Sequence, residues 1–212
     1  MEKLLENRPL SLKGFNATIG VVLLEGLLLS ALITKSLGAW FATWNVWVLM
    51  IGYFVISIIG IIISRKSDRP AMSLLGYNLV VVPAGAVLSV ALRGVKPDLI
   101  IHALLITAGV VVIMIIAAQL MPDVFIRLGK ALFIALIAVI VIEIIAALAG
   151  WFRASWWDAI VAGIFALYIG YDWSKAQRSE LTLDGAIDSC VDLYLDILNL
   201  FLRVLGVLDR DD

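Results

Sequence analysis

Residues Gly129 to Ala149 read GKALFIALIAVIVIEIIAALA, with Lys130 at the start and, after it, one acidic residue, Glu143, inside an otherwise continuous apolar run. Alternation of apolar and polar positions, the mark of a half-buried strand, is missing. The run is about as long as the roughly 20 residues a helix needs to cross some 30 Å of hydrocarbon. Inside lipid every backbone N–H and C=O must be satisfied within the protein, which leaves helices or closed barrels as spanning structures. A continuous run selects the helix.

Six further stretches of the same kind lie on either side, at about 15–34, 44–64, 71–92, 99–121, 156–173 and 186–208. The predicted breaks are short and polar: Lys35–Ser36, Arg65–Pro70, Arg93–Asp98, Pro122–Lys130, Gly150–Ser155 and Ser174–Gly185. Such short connections force successive helices to run antiparallel. Composition agrees, since 63% of the 212 residues are hydrophobic and only 16% charged, against about 25% charged in an ordinary soluble domain. The expectation is an all-α membrane protein with seven transmembrane helices, forming a single membrane domain over residues 1–212. The basic residues before Phe15 resemble the start of a signal peptide. The run that follows has no convincing small-residue cleavage site and is read as a retained first helix.

Basic residues predict the orientation. With the N-terminus cytoplasmic, the inner segments hold Lys3, Arg8, Lys13, Arg65, Lys66, Arg69, Arg127, Lys130, Lys175 and Arg178; the outer ones hold Lys35, Arg93, Lys96, Arg153 and Arg210. Ten against five favours an inner N-terminus and, with seven spans, an outer C-terminus. Trp40, Trp44, Trp47, Trp151, Trp156 and Trp157 then fall near the outer interface, where tryptophan is enriched, and only Trp173 is inner. Pro83 is read as a tolerated kink in the third span, and the many Gly and Ala positions as sites of close helix packing.

The polar chemistry is concentrated at the C-terminus, where eight of the 17 acidic residues lie between Glu180 and Asp212. Asp184, Asp188, Asp192 and Asp196 recur every four residues, so they form one stripe on the seventh helix, continued by Asn199 and Arg203. Carboxylates within a membrane are costly and mark pathways or pairs, which favours a helix inside the bundle over an amphipathic helix lying on an anionic lipid surface. Asp172 ends the sixth span on the side where the seventh begins. Asp172 and Asp196 can therefore approach one another, and two carboxylates in contact share a proton and titrate as a unit. Glu25 and Glu143 sit mid-span in the first and fifth helices and are candidates for an ion path, since hard cations such as calcium take several oxygen ligands. Arg203 is read as neutralising an acidic partner. The single histidine, His102, and the single cysteine, Cys190, are read as packing residues, and no zinc site or internal disulfide is expected.

The segment Tyr171-Asp172-Trp-Ser-Lys-Ala-Gln, followed by Asp192-Leu-Tyr-Leu-Asp196-Ile-Leu-Asn199-Leu-Phe-Leu, resembles the Bax inhibitor family, the transmembrane BAX inhibitor motif proteins. Leu193 to Phe201 is the most specific part, and the 24-residue separation of Asp172 and Asp196 matches as well. Weaker similarity runs through Leu128-Gly-Lys-Ala-Leu-Phe and Ala103–Thr107. The resemblance implies two three-helix groups around a central C-terminal helix and a pH-sensitive calcium leak channel. It implies that Asp172 and Asp196 are the sensing and gating pair, with Arg65 as the basic residue that latches one of them. Two departures stand out: the second span holds no acidic residue, and Asp188 and Asp192 add carboxylates beside the motif.

The expected function is thus a cation leak, not an enzyme, with Asp188, Asp192, Asn199, Glu25, Glu143 and Arg203 along the pathway and Asp192 and Asp196 as calcium ligands. Calcium and protons are the expected small partners, with no resident cofactor, and the membrane is read as a prokaryotic plasma membrane. A net charge of −1 offers nothing to nucleic acid, and no protein partner is legible. One alternative is an intramembrane aspartyl protease, although the Gly-x-Gly-Asp motif is missing around Asp196; another is a proton-coupled exchanger or a regulatory membrane scaffold.

Overall fold

The computed structural model describes residues 9–150 and 154–211, omitting the side chain of Asp211. Lys3, Arg8, Trp151 and Arg153, used above for orientation, lie outside the described residues. Among the described residues there are seven helices and no strand: α1 Leu12–Phe41, α2 Val46–Lys66, α3 Pro70–Ala91, α4 Pro97–Leu120, α5 Pro122–Ala149, α6 Ser155–Ala176 and α7 Leu183–Asp211. Five of them, α1 to α5, are long and apolar enough to cross a membrane. The other two carry more polar groups. α6 holds Asp158 and Asp172 among tryptophans and tyrosines, and α7 holds the acidic stripe and Arg203.

Local chemistry sets the helix starts. Ser11 Oγ accepts from the Gly14 N–H at 3.1 Å, and Asn45 Oδ1 from the Trp47 N–H at 2.9 Å. Pro70, Pro97 and Pro122 occupy the first turns of α3, α4 and α5, where the missing N–H has no intrahelical partner to lose. Gly150 closes α5 in the left-handed conformation at φ 67°.

Two predicted breaks are corrected. α1 runs through Lys35–Ser36 to Phe41, because two polar residues do not stop a helix that lacks proline or a cap. The next connection is instead Ala42–Asn45, closed by the Asn45 cap. The expected break at Pro122–Lys130 shrinks to Met121, and Arg127 and Lys130 ride on the first turns of α5. α3 continues unbroken through Pro83.

The chain forms two compact units, one comprising the residues up to Gly94 with Arg178–Tyr194, the other Val95–Gln177 with Leu195–Asp212. In the first, α3 packs on α1 and α2. Gly60 and Gly76 make the close approach between α2 and α3: a Cβ at either would meet the other's carbonyl oxygen at 2.5 Å. Tyr77, fully buried, donates to the Val22 carbonyl at 3.0 Å and lies over Gly26. Tyr194 and Ser30 share a 2.5 Å hydroxyl contact. In the second unit α6 packs on α4 and α5, with Tyr171 over Gly129 and Phe125 over Gly170.

Leucine, isoleucine and valine side chains are exposed along α1, α2, α4 and α5. On helices this apolar the exposed faces are those lipid would solvate. α7 is the reverse. It is the helix richest in carboxylates, yet no residue from Asp184 to Leu208 is exposed. A helix lying on a membrane surface would leave its polar edge open to water.

Candidate functional site: the polar edge of α7

In the first unit the edge meets hydroxyls and a guanidinium from α2 and α3. Ser73 Oγ donates to Asp184 Oδ1 at 2.7 Å, and Ser64 Oγ donates to Asp188 Oδ1. Both serines are fully buried. Arg65 Nη2 donates to Asp192 Oδ1 at 2.5 Å. The serines fall where α2 and α3 approach through Gly60 and Gly76, since a Cβ on Gly76 would lie 2.9 Å from that of Ser64. The residue types explain the contacts: a short hydroxyl fits between closely packed helices, whereas arginine reaches a carboxylate from the last turn of α2.

In the second unit Asp172 and Asp196 are both buried, at 8% and 7% exposure. Lys175 Nζ lies 3.6 Å from Asp172 Oδ1, one turn along α6. Tyr168, one turn before Asp172, is within electrostatic reach of both Asp172 and Asp196. The helix register agrees. Asp158 on α6 touches Gly206 on α7 closely enough that a Cβ there would lie 2.9 Å from its Oδ2. Ten residues along each antiparallel helix from that contact, Tyr168 stands opposite Asp196. Tyr168 thus lies near both aspartates, Asp172 one turn along its own helix and Asp196 on α7.

Farther along α7 is a charged cluster. Arg203 Nη1 lies 2.6 Å from Glu143 Oε1 and 2.9 Å from Asp158 Oδ1, and its Nη2 donates to Glu143 Oε2 at 2.9 Å. Arg210 Nη1 donates to the other Asp158 oxygen. Trp157 Nε1 donates to Glu143 Oε1 at 3.3 Å. Asp158 is 2% exposed. Removing one partner from a buried pair costs about 3–5 kcal/mol, since the other charge is left uncompensated.

Of the other residues singled out from the sequence, Glu25 is exposed on α1, within electrostatic reach of Tyr77 and Tyr194. Asn199 donates to the carbonyl of Leu195, one turn back on its own helix. Cys190 is buried and donates to the Ala186 carbonyl at 3.1 Å. His102, expected to be packed, is exposed on α4. Among the described residues no three His, Cys, Asp or Glu side chains converge in a group able to hold a metal ion.

Sequence reasoning passed over Asp158, Ser64, Ser73 and Tyr168. Asp158 had a signal. Arg203 and Arg210 are seven residues apart, a spacing only about 20° short of two turns, so two cations on one face of a helix this apolar point to an acid opposite. The serines had none, because a hydroxyl in an apolar helix can equally bond to its own backbone.

Five helices long and apolar enough to cross a membrane, with their aliphatic side chains exposed, mark an integral membrane protein. The family model for the inhibitor of apoptosis-promoting Bax1 matches residues 15–212, and the chain belongs to that family. It is also similar to two uncharacterised proteins of Helicobacter pylori, from strains 26695 and J99. Each is 38% identical over 93 residues, and the match covers 40% of this chain and 38% of the relative.

Proposed function

We propose that this protein is a pH-sensitive cation leak, with calcium as the ion and Asp172 and Asp196 as a proton-sharing gating pair. The observation that supports the reading best is the placement of two buried aspartates, from α6 and α7, around Tyr168. A shared proton holds such carboxylates together. Losing it puts two anions in a poorly screened site, where their repulsion favours separation of α6 from α7 unless a cation intervenes. Lys175 and an incoming calcium ion are the two cations in question, so the sign of the pH response depends on which of them replaces the proton.

In this reading all seven helices span the membrane, and α1–α3 and α4–α6 form two groups around α7. The N-terminus is cytoplasmic, the C-terminus is outside, and the membrane is a prokaryotic plasma membrane. Asp188, Asp192, Asn199, Glu25, Glu143 and Arg203 border or control the path, and Arg65 tunes its acidic edge through Asp192. Asp192 and Asp196, one turn apart, supply oxygen ligands to calcium in transit. Calcium uptake into proteoliposomes at several pH values tests the proposal: uptake above that of protein-free vesicles, changing around neutral pH, is expected. Uptake equal to that of empty vesicles at every pH would contradict it.

A further inference from the structure

The charged cluster beyond the aspartate pair ties three helices of one unit together: Glu143 from α5, Asp158 from α6, and Arg203 and Arg210 from α7. One nitrogen of Arg203 contacts both acids, so Arg203 is the centre of the arrangement. The two acids balance the two arginines. Asp158 and Arg203, the least exposed members at 3% and 13% of their side chains, are tolerated there because they are paired; pulling α7 away would leave Asp158 without either arginine.

Arg203 lies seven residues beyond Asp196, about 10 Å along the same helix. A continuous helix transmits displacement over that distance. Movement of α7 at Asp196 must therefore be absorbed within two turns or must open the cluster. Gly206, whose missing Cβ leaves room for Asp158, lets α6 and α7 approach closely there.

We propose that the Glu143–Arg203–Asp158–Arg210 cluster is an ionic clamp that holds the C-terminal turns of α7 seated on α5 and α6 and so keeps the cation path closed. Arg203 acts as a positioning residue, through the helix. The proposal rests on the cation-leak reading above, and its test has one readout that does not.

Arg203→Gln is the primary variant. It leaves Asp158 paired with Arg210 and Glu143 accepting from Trp157, so neither acid is abandoned. Glu143→Gln, which keeps the acceptor for the tryptophan, serves if the first variant fails to fold. Calcium leak from proteoliposomes should rise about tenfold under the conditions where the wild type leaks least, equivalent to about 1.4 kcal/mol of closed-state bias. Backbone hydrogen exchange over residues 203–211 should accelerate in the same variant, and Arg203→Lys, which keeps the charge, should fall between. Exchange at 203–211 unchanged from wild type would overturn the clamp whatever the flux. Accelerated exchange with unchanged flux, while Asp172→Asn alters flux, would overturn its role in closing the path. No flux in wild type or any variant would overturn the leak reading, and with it the claim of closure, leaving the exchange rates to show whether the cluster anchors α7.

Discussion

Arg65 and Asp192 form an ion pair at 2.5 Å, joining the last turn of α2 to the acid one turn before Asp196. The arginine side chain is 54% exposed and the aspartate 22%. An ion pair this open contributes only about 0–1 kcal/mol.

Arg65→Gln is therefore expected to leave the thermal unfolding of detergent-solubilised protein nearly unchanged, within about 1 kcal/mol. A large loss of stability would mean that Arg65 supports the fold through contacts other than Asp192. Asp192→Asn keeps an acceptor for Arg65 but removes the charge. It should change conductance or calcium affinity more than the pH profile, because Asp192 is outside the proposed proton-sharing pair.

Close packing of α2 on α3 gives a prediction about stability alone. Gly76→Ala puts a Cβ 2.5 Å from the Gly60 carbonyl and 2.7 Å from the Ser64 nitrogen. Backbone cannot yield as a side-chain tip can, so the helices must part, at a cost of about 1–3 kcal/mol. Gly52→Ala, with nothing within 4 Å of its Cβ, should be neutral or slightly stabilising, since alanine is favoured over glycine in helices. Thermal unfolding of the two variants side by side measures the difference; equal stability would contradict this packing.

Much of this architecture was legible in the sequence, for reasons that differ by region. The apolar runs needed only length and continuity, because lipid imposes one requirement on every spanning segment. Helix ends were harder to place. Lys35 and Ser36 look like a loop, but nothing there breaks a helix, and Pro122 marks the start of α5 more reliably than the charges after it. The stripe on α7 was visible from its four-residue period. Its partners were not, because Ser64 and Ser73 depend on which faces of α2 and α3 meet α7, and periodicity in these nearly uniform apolar helices does not say. Asp172 and Asp196 were singled out from their places on the sixth and seventh helices and from the family resemblance, whereas Tyr168, level with Asp196, emerged only from the register of α6 on α7.

The proposed topology rests on the basic residues and the placement of the tryptophans. Trp40, Trp44 and Trp47 cluster about the α1–α2 connection, and all three are exposed, as is Trp156 at the start of α6. A reporter fused after Asp212 is expected to be external. A cytoplasmic reporter would contradict seven full spans with an inner N-terminus and would point to an even number of crossings.

The central claim is that Asp172 and Asp196 sense pH as a pair. Each can be changed to asparagine, which keeps much of the hydrogen bonding and removes titration. The most direct measurement is calcium flux against pH in liposomes for wild type, Asp172→Asn, Asp196→Asn and Asp192→Asn. The account predicts that flux loses its pH dependence around neutrality in the first two variants and retains it in the third. An Asp172→Asn variant that keeps the wild-type pH profile would remove the pair from the mechanism.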